Sequence, residues 1–110
     1  MIRKKTKTQK DAPTTVAGII FEQLGGKEAI DFMIGLQNIV EFEDGVQFDF
    51  ETAMDYDVYR CKIVLSATDL YELTFTNTKQ VSTEQKDVFA EDLMDIFEES
   101  TQLFLTLYPR

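Results

Sequence analysis

Residues 59–76 read YRCKIVLSATDLYELTFT, and this stretch decides the fold because it predicts a β-hairpin. Apolar and polar residues alternate along both halves, which is the pattern of strands with one buried face. Pairing Ile63 with Leu73 and Cys61 with Phe75 gathers the apolar side chains on one face and leaves a turn in the middle. The other face carries Arg and Lys opposite Thr, as expected where a sheet meets water.

A second alternation precedes it, in residues 40–50, which read VEFEDGVQFDF. A two-residue turn at Asp44 and Gly45 would place apolar residues opposite polar ones. A three-residue loop instead pairs Phe42 with Val46 and makes one face wholly apolar. Because the buried face sets the register, we predict the three-residue loop, with Gly45 left-handed at a bulge. The two hairpins together predict a four-stranded antiparallel meander.

Two short helices are predicted ahead of the strands. Thr14 or Thr15 offers a hydroxyl N-cap, and apolar residues follow at helical spacing until the Gly25-Gly26 pair ends the helix. A second helix is predicted for residues 27–34, where Gly35 supplies a left-handed stop.

A long C-terminal helix is predicted from about residue 82 to about residue 107. Ser82 and Gln85 resemble a capping box at its start, and Pro109 ends it. The apolar residues at helical spacing are Phe89, Leu93, Ile96, Phe97, Phe104 and Leu107. This stripe predicts that the helix packs on the apolar face of the sheet. The expected fold is therefore α+β, in the order α-α-β-β-β-β-α.

Charge divides the chain into two parts. The net charge is −9, yet the first ten residues hold five of the 11 Lys and Arg, which leaves 6 against 20 Asp and Glu beyond them, a formal −14. We expect residues 1–13 to be a disordered basic arm and residues 14–110 to be a single acidic domain. So acidic a body repels nucleic acid and anionic membranes, and its natural partners are basic proteins.

Several kinds of chemistry are disfavoured by composition. The chain has no His and one cysteine, Cys61, which excludes the usual catalytic triads and zinc sites and favours a reducing cytoplasm. No segment approaches the roughly 20 apolar residues of a membrane span. The carboxylates of residues 49–57 lack the spacing of a calcium loop. We therefore expect no enzyme, no cofactor and no metal.

The candidate site is a set of carboxylates. Four positions of the predicted C-terminal helix form an acidic ridge along one face: Asp87, Glu91, Asp95 and then Glu98 or Glu99. A second cluster lies around the first hairpin and includes Glu43, Asp44 and Asp49. Such a surface could bind a basic groove by imitating phosphates, or it could simply be a solvated face that keeps the protein soluble.

Short apolar motifs connect the chain to a family. They are QLGG at 23–26, FMIG at 32–35, QNIV at 37–40, KIVL at 62–65, DLYELTF at 69–75, DLMDIFE at 92–98 and LF at 103–104. In these motifs, which span most of residues 15–107, the chain resembles a group of small uncharacterised proteins encoded by bacterial phages and related mobile elements. The resemblance implies a phage or prophage product acting in a bacterial cytoplasm. Since that group has no assigned activity, it implies no site.

Three functions follow as hypotheses. The first is a non-enzymatic protein that binds a basic host or phage protein through its acidic surface and inhibits it by nucleic-acid mimicry. The second is a phage structural or assembly protein, found in the virion, that self-associates as a homodimer through its C-terminal helix. The third is a weak nucleic-acid binder that uses the basic arm together with Arg60 and Lys62.

Overall fold

A computed structural model describes residues 15–52 and 57–105. Its helices are α1 (Val16–Gln23), α2 (Lys27–Ile34) and α3 (Leu93–Thr101), with a 3-10 turn at Ala90–Asp92 directly before α3. Its strands are β1 (Gln37–Phe42), β2 (Gly45–Asp49), β3 (Val58–Leu65), β4 (Tyr71–Asn77) and β5 (Ser82–Val88). All five strands form one antiparallel sheet in the order β1-β2-β3-β4-β5. The α+β class and the C-terminal position of the last helix are confirmed, whereas the sheet has five strands instead of four.

The helical corner at the N-terminal side forms as predicted. The Thr15 hydroxyl accepts a hydrogen bond from the Gly18 N–H at 3.0 Å and so caps α1. Gly35 ends α2 with a φ of 71°, a left-handed conformation that costs glycine little. Local signals therefore suffice to place both helices.

The central hairpin of β3 and β4 also has the predicted register. Ile63 lies opposite Leu73 and Cys61 opposite Phe75, while Lys62 on the outer face lies opposite Thr74. All four apolar side chains of these two pairs are at most 2% exposed.

The predicted loop of the first hairpin is wrong. The turn has two residues, 43 and 44, so that Phe42 pairs with Gly45 and Val40 with Gln47. Gly45 is required for close approach, because a Cβ built on it would lie 2.1 Å from the Ile63 carbonyl oxygen of β3. The prediction had placed Val40 on the apolar face, but Ile39 packs against the core instead.

Residues 82–88 form strand β5, so the prediction of a helix beginning at residue 82 is wrong. A three-residue turn leads into β5: the Asn77 side-chain oxygen accepts N–H bonds from Lys79 at 2.9 Å and Val81 at 3.0 Å. The backbone of β4 is paired with β5 along this edge, which satisfies polar groups that a helix at this position would leave open. The hairpin pairing of residues 82–88 with β4 therefore overrides the capping-box motif.

The helices and the inner face of the sheet enclose an aromatic core. The Phe97 ring of α3 lies at its centre, with ring centroids 6.0 Å from Phe48, 5.3 Å from Phe50 and 6.1 Å from Phe75. The predicted stripe is only partly buried, because Phe104 is 65% exposed. Within the described ranges, no helix is long and apolar enough to span a membrane.

Candidate functional site

The acidic ridge predicted for one long helix is divided among three elements. Asp87 lies in β5 with a φ of 59°, Glu91 lies in the 3-10 turn, and Asp95 lies in α3. The prediction that these carboxylates share one helical face is wrong for Asp87, because residues 82–88 are extended.

Glu98 belongs to the interior of the protein. It is 8% exposed, and its carboxylate accepts a hydrogen bond from the Leu105 N–H at 2.7 Å. The chain leaves α3 through Gln102, whose φ is 60°, and the Glu98 carboxylate holds the returning segment against the helix. Its position supports structure and gives a partner little surface to touch.

Asp49 of the second predicted cluster is also withdrawn from solvent. It is 6% exposed and lies at the end of β2, opposite Arg60 of β3. Its carboxylate accepts bonds from Arg60 Nε at 2.7 Å, from Arg60 Nη2 at 3.2 Å and from the Asn38 amide at 2.9 Å. The hydrogen bonds from Arg60 lower the pKa of Asp49 below its ordinary value. Arg60 was one of the cations proposed to contact nucleic acid, and its guanidinium is instead bound to Asp49.

Of the predicted ridge, three exposed carboxylates lie at intervals of four residues on the 3-10 turn and α3: Glu91, Asp95 and Glu99. We call them the carboxylate stripe. Asp95 lies between two shallow grooves of the surface. The first groove is lined by Gln23, Ala90, Glu91, Met94 and Asp95, and the second by Asp95, Glu98, Glu99, Gln102 and Phe104. The stripe is therefore continuous across both grooves.

The sequence around the stripe contains no compensating cation. Between Asp87 and Leu105 there are six acidic residues and no Lys or Arg. The apolar part of this surface is Phe104. It had been assigned to the core because it fits the helical spacing of Phe97, but α3 ends at Thr101 and turns it outward.

Glu43 and Asp44 form the exposed two-residue turn between β1 and β2. The Asp44 backbone carbonyl accepts a bond from the Leu65 N–H at 2.8 Å, which ties this turn to the end of β3. Both side chains face solvent, as the sequence predicted.

The remaining candidates for chemistry are Cys61 and possible metal ligands, and they give little support for a chemical function. Cys61 is fully buried, and burial raises the pKa of its thiol well above the ordinary value, so it is a structural residue. In the part of the chain that the structure describes, no three His, Cys, Asp or Glu side chains form a group that could hold a metal ion. Asp55 and the basic arm of residues 1–13 lie outside the described residues.

Comparisons with protein-family models, with curated proteins and with solved structures find no match to this chain.

Proposed function

We propose that this domain is a non-enzymatic interaction protein that binds a basic partner protein through the carboxylate stripe. The observation that carries the proposal is the position of Glu99. It lies near the C-terminal end of α3, where the helix dipole disfavours negative charge, and no basic residue occupies the last turn. Because Glu99 opposes its own helix, helix stability does not account for a carboxylate at this position, whereas binding to a basic partner does.

The surface beside Glu99 indicates the kind of side chain that the partner presents. The Phe104 ring is 65% exposed and lines the same groove as Glu99. Arginine suits such a site, because its guanidinium can bind a carboxylate through two hydrogen bonds and stack on an aromatic ring. We therefore expect an arginine-rich face on the partner.

The stripe also supports the finer proposal of nucleic-acid mimicry. Asp95 and Glu99 are four residues apart in α3 and therefore about 6 Å apart along its axis, and Glu91 in the preceding 3-10 turn lengthens the row. A row of negative charges on this scale competes with a short stretch of phosphate backbone for a basic groove. The resemblance to phage-encoded proteins favours a bacterial host or phage protein as the partner, met in the bacterial cytoplasm.

The test is a charge reversal with a matched control. Asp95→Lys/Glu99→Lys changes the stripe, and Glu28→Lys/Glu72→Lys makes the same change in net charge at exposed positions of α2 and β4. Wild type and both variants are immobilised, after circular dichroism shows that each is folded, and are exposed to a bacterial lysate. Captured proteins are identified by mass and then purified for direct binding measurements.

The expected result is a basic protein that wild type and the control variant bind and that the stripe variant binds at least tenfold more weakly. A partner that binds all three proteins equally, or one that is lost equally from both variants, would contradict the proposal.

A further inference from the structure

Strand β5 forms one edge of the sheet and is open along its length. Within residues 15–52 and 57–105, β4 is its only strand neighbour. Six of its seven residues are exposed, and the exposed residues face both sides of the sheet. An open edge of this kind presents unpaired backbone groups to a further strand.

The hydrogen bonds of the β4–β5 turn show which groups are open. The Asn77 N–H donates to the Val81 carbonyl at 3.0 Å, which makes these two residues a hydrogen-bonded pair. The next pair, Thr76 and Ser82, is then a non-hydrogen-bonded pair, in agreement with its hydroxyl oxygens lying 3.0 Å apart.

The alternation continues along β5 as far as Lys86, beyond which the ladder is irregular and Asp87 has a φ of 59°. Thr83 and Gln85 direct their backbone groups toward β4, while Glu84 and Lys86 direct theirs toward the open edge. The side chains of Glu84 and Lys86 both lie on the outer face, where they are 59% and 61% exposed and their charged groups are 3.8 Å apart.

We propose that a second copy of this chain pairs antiparallel along β5, with Gln85 on the two-fold axis. In this register Glu84 lies opposite the partner's Lys86, and Lys86 lies opposite the partner's Glu84. Both are hydrogen-bonded positions, so each pair adds two backbone hydrogen bonds to one cross-strand ion pair. The symmetry is the isologous two-fold that most homodimers have.

Charge selects this register over its neighbours. Moving the axis to Glu84 or to Lys86 keeps the backbone pairing but puts two like charges directly opposite each other, which is destabilising. Lysine on an edge strand usually prevents pairing, because a second strand would bury or oppose it. Here Glu84 lies two residues from Lys86 on the same face. The edge is therefore complementary to itself, because the Glu84 of one copy can pair with the Lys86 of the other.

The other edge of the sheet is strand β1, which is less suited to pairing with a further strand. The ladder of β1 is irregular between Gln37 and Val40, where Asn38 has a φ of 51° and donates to Asp49 at 2.9 Å. A bulge of this kind interrupts pairing with a further strand. The irregularity of β5 lies after Gln85, at Asp87, so the residues up to Lys86 still offer a regular edge. Pairing of two β5 strands therefore stops at a dimer, because the β1 edges do not take part.

The first test is cysteine cross-linking in the full chain. Gln85→Cys would place two thiols at a non-hydrogen-bonded pair, with Cα atoms about 4.5 Å apart, which is within the range of about 4.4–6.8 Å for a disulfide. Thr83→Cys is the matched control on the same face, and the two copies of residue 83 would be about 13 Å apart along the strands. The native Cys61 is buried and does not interfere.

Mild oxidation should link the Gln85→Cys protein into a dimer at least tenfold faster than the Thr83→Cys protein. Equal rates for the two variants, or no dimer from either, would overturn the proposed register.

The second test is a charge exchange followed by sedimentation. Glu84→Lys alone and Lys86→Glu alone put like charges opposite each other, so each should dissociate at concentrations where wild type is dimeric. An equimolar mixture of the two variants should recover the dimer, because every Lys then faces a Glu. A wild type that stays monomeric at high concentration, or a mixture that stays monomeric, would refute the dimer.

Discussion

At the scale of single residues, the charge of Asp49 is held at the border between core and solvent. Its side chain is 8% exposed, while that of Arg60 is 35% exposed, so the pair is neither fully buried nor fully screened. An ion pair in this position contributes more than an exposed one, because the two nitrogens of Arg60 and the amide of Asn38 satisfy the carboxylate.

Replacement of this carboxylate makes folding stability less dependent on pH. The folded pKa of Asp49 is lowered, so its stabilising effect is complete above the ordinary aspartate pKa and is lost as the pH falls through the folded pKa. We expect Asp49→Asn to be less stable than wild type by about 1–2 kcal/mol at pH 7. The difference should shrink toward zero as the pH falls below the ordinary aspartate pKa and through the lowered folded pKa. Urea unfolding of both proteins across this range checks the prediction, and an unchanged difference would contradict it.

At the scale of elements, α3 is short and unevenly stabilised. Asp95 lies in its first turn, where negative charge favours the helix, whereas Glu99 lies near the end, where negative charge opposes it. The Thr101 hydroxyl donates to the Phe97 carbonyl at 2.8 Å and helps to close the last turn. At Glu99, the proposed binding and the stability of the helix thus favour opposite charges.

Glu99→Lys should separate these two effects. We expect it to raise the free energy of unfolding by about 0.3–1 kcal/mol, because a cation near the helix C-terminus is favourable, and to weaken the proposed partner binding. The matched control is Glu28→Lys in the first turn of α2, which should lower stability by a similar amount. Chemical denaturation measures both variants. A destabilised Glu99→Lys would show that Glu99 has a structural role instead.

At the scale of the whole molecule, one ring connects the sheet to the last helix. Phe97 is fully buried and meets aromatic rings from β2, β4 and the residue after β2. The nine-residue α3 is too short to be stable alone, so its formation depends on this packing.

Truncation of that ring should therefore be severe. Phe97→Ala is expected to cost about 3–5 kcal/mol of stability, through lost burial and the cavity left behind. Phe104→Ala removes an identical ring that is 65% exposed, and it should change stability by about 0.5 kcal/mol or less. Thermal unfolding compares the two variants, and similar losses would contradict the assignment of Phe97 to the centre of the core.

Local patterns were enough where neighbouring residues decide the outcome. The hydroxyl of Thr15, the left-handed Gly35 and the pairing of Ile63 with Leu73 could each be predicted, because a cap, a stop and a hairpin register depend on residues close in the chain. The exposed carboxylates Glu91, Asp95 and Glu99 could be named for the same reason, since charge is a property of each residue.

Their arrangement depended on which elements pair and pack against one another. Residues 82–88 form a strand because they satisfy the backbone hydrogen bonds of β4. Position 45 is a glycine because the backbone of β3 passes too close to it for a side chain. Asp49 and Glu98 became buried acceptors because Arg60 and the Leu105 N–H reach them. The sequence by itself thus determined the class of fold, the helical corner and the excess of acid. Only the tertiary structure decided which carboxylates face solvent, because burial is set by what packs against a residue.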